Sequence, residues 1–248
     1  MHVRIVLPAY NEEGALAALL SRIDAAFRQF QWKGDIVVVN DGSSDATLQI
    51  ASSFKGAVPV HVVDLQPNRG LAGAMRAGLA RGVEGLHDDD VIVTLDADNT
   101  HNPFLIQRML GQIAEGSDIV IASRYQPGAR VLGLSFFRVL TSIGAGFLFR
   151  VGVGLEGVKD YTCGFRVYRV DVLKKTLTHY GDRFILQKGF GCMAEILIKT
   201  AQFSTVISEV PMILRYDFKR GVSKMKVMST VLQTCRMILD YRLGRGFR

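Results

Sequence analysis

The chain has 248 residues, 48% of them hydrophobic, so it is long enough to bury the core of one α/β domain and leaves little for a second. Its net charge of +7 suits anionic lipid or phosphorylated substrates, and no nucleic acid partner is expected because no basic run with interleaved aromatic residues appears. The three cysteines lack C-x-x-C spacing, which argues against a disulfide framework or zinc site and fits a reducing, cytoplasmic setting.

Strand and helix signals alternate through the first half of the chain. The pattern predicts strands at Val3–Leu7, Ile36–Asn40, Val58–Leu65 and Val91–Thr94, with helices at Glu13–Phe30, Ala46–Phe54 and Leu71–Arg81. A further helix opens at Asn102-Pro103, and a further strand covers Ile119–Ala122. This βαβ repetition predicts an α/β fold in a single domain, with a mainly parallel, mixed sheet and helices on both faces.

The second half begins with an apolar stretch, residues 133–150. Its charge-free centre, residues 139–149, is too short to span a bilayer. This composition fits either a buried helical hairpin or a segment that lies on a membrane surface. In the second interpretation, the phenylalanines of the stretch contact the membrane. These are Phe136, Phe137, Phe147 and Phe149.

The chain is predicted to end in an amphipathic helix at Lys224–Leu243, followed by a basic tail that contains Arg242, Arg245 and Arg248. The first residues lack the pattern of a signal peptide. Because the charge-free centre of the apolar stretch at 139–149 is too short to span a bilayer, we expect no transmembrane anchor within the chain.

Two carboxylates, Asp96 and Asp98, stand one residue apart behind the apolar run Val91–Thr94. Because strand side chains alternate in direction, the strand must end near Asp96, and the turn presents carboxylate oxygens at the carboxyl edge of the sheet. Hard oxygens there suit Mg²⁺ or Mn²⁺ that also holds a diphosphate. A D-x-D pair alone is also common in ordinary turns.

Two other segments accompany this pair: Pro8–Glu12 reads P-A-Y-N-E, and Asp41–Asp45 reads D-G-S-S-D. Alone, the second could be a strand-to-helix turn with a capping residue. Together, the three motifs resemble those of the GT-A family 2 glycosyltransferases. The resemblance implies a Rossmann-like GT-A fold and a nucleotide diphosphate sugar as donor.

The resemblance also assigns a donor site. The residues implied to hold the nucleotide sugar are Pro8, Tyr10, Glu12, Val39, Asp41, Asp96, Ala97, Asp98, Arg220 and Lys224. Asp96 and Asp98 are the implied metal ligands and, with Arg124, the implied catalytic residues. Arg220 and Lys224 belong to a segment that looks like the family's R-x-x-G-x-S-K loop; its spacing is compressed, so Arg215 competes with Arg220. Thr100 stands where the family often has Gln.

The acceptor is indicated by Ala122–Tyr125 and Asp160–Arg166, which look like segments of dolichyl-phosphate mannose synthases and bacterial polyprenyl-phosphate glycosyltransferases. Arg138 and Ser142 are four residues apart, so on a helix they share a face, and with Arg124 they would form a site for the acceptor phosphate. An arginine lying beside an apolar face is the alternative interpretation of Arg138. A phosphate is already anionic near neutral pH, so the acceptor needs no general base.

The function predicted is inverting transfer of a sugar, with mannose or glucose favoured, from a donor of the GDP-mannose or UDP-glucose type to a polyprenyl or dolichyl phosphate. The enzyme would lie peripherally at the cytoplasmic face of a membrane, and a separate membrane-anchoring subunit is left open as a partner. The alternatives are a family 2 enzyme that uses a sugar or protein hydroxyl and a non-catalytic nucleotide- or lipid-binding subunit. The predicted divisions are a GT-A domain at 1–226, split into a donor half at 1–122 and an acceptor half at 123–226, and a helix with its tail at 227–248.

Overall fold

The computed structural model describes residues 1–133, 144, 146–189, 191–216 and 227–247. The strands are β1 (Val3–Ala9), β2 (Gly34–Asn40), β3 (Val60–Asp64), β4 (Val91–Thr94), β5 (Ile119–Ser123), β6 (Arg130–Leu132), β7 (Arg166–Arg169), β8 (Ile207–Pro211) and β9 (Ile213–Arg215). The α-helices are α1 (Leu16–Phe30), α2 (Thr47–Ser53), α3 (Gly70–Val83), α4 (Ile106–Ala114), α5 (Val170–Tyr180), α6 (Gly191–Thr200) and α7 (Val227–Arg242). Residues 146–152 are also helical.

The main sheet has seven strands in the order β3-β2-β1-β4-β7-β5-β8. Strand β7 runs antiparallel to both of its neighbours, and the other pairings are parallel. Strands β6 and β9 form a separate parallel pair. The predicted mainly parallel, mixed sheet is therefore confirmed, and the carboxyl ends of β1, β2 and β4 share one edge.

The central strands β1, β2 and β4 are mostly apolar, as expected for parallel strands that helices cover on both faces of the sheet. Helix α3 lies especially close to it: a Cβ added at Gly78 would lie 2.6 Å from Cγ1 of Val6 and 3.0 Å from Cγ2 of Val39. Glycine at this position lets the helix backbone approach β1 and β2. The core formed there gives the carboxyl edge of the sheet a rigid base.

The helical residues 146–152 pack against α7. A Cβ at Gly152 would lie 2.3 Å from Cγ2 of Ile238, and Arg242 donates hydrogen bonds from Nε to the carbonyl of Gly152 (2.6 Å) and from Nη2 to that of Val151 (2.9 Å). The prediction that Phe149 contacts a membrane is wrong, because its ring is 1% exposed and stacks on Tyr161 at 5.2 Å.

The end of the chain folds back onto the body. Phe247 is buried, and its carbonyl accepts hydrogen bonds from the hydroxyl of Tyr180 (3.1 Å) and Nε2 of Gln202 (3.0 Å). Within the part of the chain that the structure describes, no helix is long and apolar enough to cross a membrane. Phe136 and Phe137 lie outside the described residues.

Candidate active site

The loops that follow β1 and β2 are hydrogen-bonded to each other. The side chain of Asn11 accepts from the backbone N–H of Ser44 (2.9 Å), its own N–H donates to Oγ of Ser43 (3.0 Å), and the N–H of Glu12 donates to Oγ1 of Thr47 (2.8 Å). The P-A-Y-N-E and D-G-S-S-D segments therefore form one unit at the carboxyl edge. This unit contains the predicted nucleoside contacts Pro8, Tyr10, Glu12 and Asp41.

Within this unit, Asp41 is fixed by the loop that precedes α3. Its Oδ1 accepts the backbone N–H of Arg69 (2.7 Å), and its carbonyl accepts Nδ2 of Asn68 (2.6 Å). Gly42 has φ +65°, and a Cβ there would lie 2.8 Å from the nitrogen of Asn68, so the turn requires glycine. Val39 is fully buried, with its Cγ2 facing Gly78 of α3, and its contact with the nucleotide sugar stays a prediction.

The D-x-D turn follows β4 directly, as predicted. Oδ1 of Asp98 accepts hydrogen bonds from the N–H (3.2 Å) and the hydroxyl (2.6 Å) of Thr100, which stands where the family often has Gln. The N–H of Asp96 donates to Nδ1 of His101 (3.4 Å), and the His101 ring lies 5.2 Å from that of Phe165. The turn is thus held by hydrogen bonds among its own residues and, through the His101 ring, by a contact with the second half of the chain.

Gly164 brings the segment Asp160–Arg166 against the D-x-D turn. A Cβ at this glycine would lie 3.2 Å from Oδ1 of Asp96 and 3.3 Å from Cε of Met193, and the carbonyl of Gly164 accepts the hydroxyl of Thr94 (2.7 Å). No role for Gly164 was predicted from the sequence. The only signal was its place in Asp160–Arg166, the segment that resembles those of polyprenyl-phosphate glycosyltransferases.

Arg124, predicted to bind the acceptor phosphate, is held by Asp160. Its backbone N–H and Nε donate to Oδ2 of Asp160 (3.0 and 2.8 Å), and Nη2 donates to Oδ1 (2.6 Å) and to Oγ1 of Thr162 (2.6 Å). Burial lowers the pKa of Arg124, but the charge of Asp160 and the hydrogen bonds to it together outweigh burial and hold the pKa well above the usual value. The guanidinium is thus permanently charged and fixed in orientation. This role of Asp160 was not predicted from the sequence.

The residues present fit a divalent cation that is shared with a diphosphate. Among the residues described, no group of three or more His, Cys, Asp or Glu side chains could hold a metal ion by itself. Mg²⁺ commonly uses one or two carboxylates and completes its shell with water and substrate phosphates. The pair Asp96 and Asp98 supplies that number of carboxylates at the edge where the donor is predicted.

Four predicted site residues, Arg138, Ser142, Arg220 and Lys224, lie outside the described residues. Their assignments remain predictions, as do the divisions at residues 122 and 226. The competing residue Arg215 is described: its backbone N–H donates to the carbonyl of Thr100 (3.1 Å), so the end of β9 lies against the D-x-D turn.

The sheet order and the three motif loops at its carboxyl edge define a GT-A-type protein. Crystal structures of glucosyl-3-phosphoglycerate synthase from Mycobacterium tuberculosis share the fold. The complex with Mn²⁺, uridine diphosphate and phosphoglyceric acid aligns with a TM-score of 0.63 at 19% identity, over 98% of this chain and 78% of that one.

The family follows from the sequence comparison: residues 4–177 match the glycosyl transferase family 2 model, and the chain belongs to this family. It is 34% identical to the undecaprenyl-phosphate mannosyltransferase of Micrococcus luteus, over 91% of this chain and 88% of the relative. It is also 35% identical to the dolichol-phosphate mannosyltransferase of Pyrococcus furiosus, over 98% of this chain, but it spans only 64% of that relative's length.

Proposed function

We propose that the chain transfers one sugar from a nucleotide diphosphate sugar to a polyprenyl phosphate, with inversion at the anomeric carbon. The observation that carries this proposal is the junction of the two halves of the site. The D-x-D turn, on the donor side, lies against Gly164, and four residues earlier Asp160 orients the guanidinium of Arg124. The names of the mannosyltransferase relatives support a polyprenyl phosphate acceptor and favour mannose.

The chemistry proposed is a single displacement. An oxygen of the acceptor phosphate forms a bond to the anomeric carbon while the bond from that carbon to the diphosphate oxygen breaks, and the electron pair leaves with the nucleoside diphosphate. Mg²⁺ or Mn²⁺ held by Asp96 and Asp98 would neutralise charge on this leaving group. Because the phosphate is already anionic, the chain needs to orient it and to balance its charge, which is the role we give to Arg124.

A transfer assay tests the proposal. Wild-type protein receives radiolabelled GDP-mannose or UDP-glucose, with either a polyprenyl phosphate or soluble sugar and protein acceptors. We expect label in the lipid fraction only, and loss of transfer on chelation of the metal. Asp98→Asn should retain the fold and lose transfer, because the amide keeps the volume but removes a charge from the cation site.

The matched control is Asp171→Asn, which changes an exposed carboxylate on α5 and should leave transfer unchanged. Label in a soluble acceptor would show that the enzyme uses a hydroxyl acceptor and would refute the proposed lipid phosphate acceptor. No transfer and no donor hydrolysis would favour a non-catalytic binding subunit. Metal-dependent activity that survives in Asp98→Asn would refute the role of the D-x-D pair.

A lipid acceptor requires the site to reach a membrane, and the structure offers an exposed apolar patch where two helices pack together. The patch consists of Phe147, Val151, Leu239 and Leu243, which are 63%, 61%, 56% and 51% exposed. The exposed side chains of Arg150, Arg236 and Arg245 accompany it. Apolar burial combined with arginines near anionic headgroups is how peripheral proteins bind bilayers.

We therefore propose peripheral attachment through this patch, at the cytoplasmic face of the membrane. Wild-type protein should float with vesicles that contain anionic lipid, and salt should weaken this binding. The double variant Leu239→Glu with Leu243→Glu should lose it, while Val206→Glu, at an exposed apolar position outside the patch, should not. If all three proteins fail to float, attachment depends on a membrane-anchoring subunit.

A further inference from the structure

Arg22, on α1, reaches the far end of the D-x-D turn. Its Nη1 donates to Oδ1 of Asn99 (2.6 Å) and makes longer contacts of 3.4 Å with the carbonyls of Asn99 and His101. Its Nη2 donates to Oδ1 of Asn102 (3.1 Å). One guanidinium therefore spans the four residues that follow Asp98.

The turn at this place contains a left-handed residue. Asn99 has φ +60°, a conformation that is uncommon outside glycine, although asparagine adopts it more readily than most residues. Immediately beyond it, Thr100 donates both its N–H and its hydroxyl to Oδ1 of Asp98. The position of the Asp98 carboxylate is thus coupled to the conformation of Asn99. Arg22 contacts Asn99 at both its side-chain oxygen and its backbone carbonyl.

The surroundings of Arg22 disfavour the charge of its guanidinium. Burial lowers its pKa, and the nearby charge of Arg215 lowers it further. The hydrogen bonds described for the guanidinium all go to neutral amide and carbonyl oxygens. A partly buried arginine that approaches another cation must be retained by these bonds, since they satisfy its fork-shaped set of donors.

We propose that Arg22 is a positioning residue for the metal–diphosphate site: it fixes the left-handed turn at Asn99 so that Asp98 presents its carboxylate to the cation. Arg22 acts through Asn99 and Thr100 and does not itself contact the donor. This inference rests on the proposed metal role of Asp98. Partners that orient metal ligands in this way commonly change metal affinity by about 10–100-fold when they are removed.

The test measures Mn²⁺ binding by electron paramagnetic resonance in the presence of GDP or UDP, together with thermal unfolding of each protein. Arg22→Met should weaken Mn²⁺ binding about tenfold or more, and Arg22→Lys should rescue it only in part, because an ammonium cannot reproduce the fork. Asn99→Gly keeps the positive φ accessible but removes the Oδ1 acceptor, so it should weaken Mn²⁺ binding in the same direction. The control is Arg28→Met, on the same helix, whose exposed guanidinium pairs with Asp24 at 2.6 Å and should leave Mn²⁺ affinity unchanged.

A purely structural role for Arg22 would lower the melting temperature and leave the Mn²⁺ affinity of the folded protein unchanged. That result for Arg22→Met would overturn the inference. If Arg22→Met does not fold, wild-type affinity in Asn99→Gly would overturn it instead. If wild-type protein binds no Mn²⁺ with either nucleotide, the proposed metal role of Asp98 fails and this inference fails with it.

Discussion

Removal of the Asp160 carboxylate should destabilise the protein and disorient Arg124. Asp160 is fully buried and accepts five hydrogen bonds: three from Arg124, one from the N–H of Thr162 and one from the N–H of Cys163. Asp160→Ala leaves all five donors without this acceptor. The two guanidinium donors carry the greatest cost because they belong to a charged group.

The magnitude follows from the burial of the pair. Breaking a buried ion pair by removing one partner costs about 3–5 kcal/mol. The Arg124 side chain is 17% exposed, so water can solvate part of the abandoned charge, and we expect the lower end of that range. A loss of about 3 kcal/mol corresponds to a drop in melting temperature of about 6–12 °C for a chain of this size.

Urea unfolding and thermal unfolding of wild type and Asp160→Ala measure this loss. The control is Asp171→Asn, which removes an exposed ion pair with Lys175 and should leave unfolding unchanged. At temperatures where Asp160→Ala is folded, its KM for polyprenyl phosphate should rise more than its KM for the donor. If the free energy of unfolding falls by less than about 1 kcal/mol, the reasoning that Arg124 is left buried without a replacement partner is refuted.

Two further predictions concern the same region. Gly164→Ala should reduce transfer, because its Cβ would lie 3.2 Å from Oδ1 of Asp96 and 3.3 Å from Cε of Met193. The control is Gly111→Ala on α4, where an added Cβ meets no atom within 4 Å, and it should leave transfer unchanged. Steady-state kinetics of both variants measure the difference. The second prediction is a pH dependence of stability: burial raises the pKa of Asp160, but the charge and hydrogen bonds of Arg124 outweigh it and hold the pKa below its usual range. Because the folded pKa is the lower one, this stabilisation is present above about pH 4 and is lost as the pH falls through the folded pKa. Urea unfolding between neutral and acidic pH should show this loss in wild type and a smaller one in Asp160→Asn; equal slopes would contradict the assignment.

The sequence by itself determined the first half of the fold. The apolar runs predicted strands at Val3–Leu7, Ile36–Asn40 and Val91–Thr94, and the structure has β1, β2 and β4 at these places. These strands lie at the centre of a parallel sheet, so burial on both faces makes them continuous apolar runs that a linear pattern reveals. The sequence also predicted that the D-x-D turn lies at the carboxyl edge of the sheet; the parallel pairing of β1 with β2 and β4 places the motif loops after β1 and β2 at that same edge.

The elements that complete the sheet were not predicted from the sequence. Strand β7 is only four residues long, R-V-Y-R, and its apolar pattern is too short to distinguish it from a loop. It becomes a strand because β4 and β5 pair with it on both sides. Strand β8 and helices α5 and α6 were likewise not predicted.

Tertiary structure alone decided which polar residues meet at the site. Arg124 and Asp160 are 36 residues apart, and Arg22 lies 77 residues before Asn99. Tertiary structure also decided that Phe149 is buried while Phe147 is exposed, although both lie in one apolar stretch. Local sequence records the periodicity that selects strands and helices, whereas hydrogen bonds and burial between distant segments depend on how the finished elements pack.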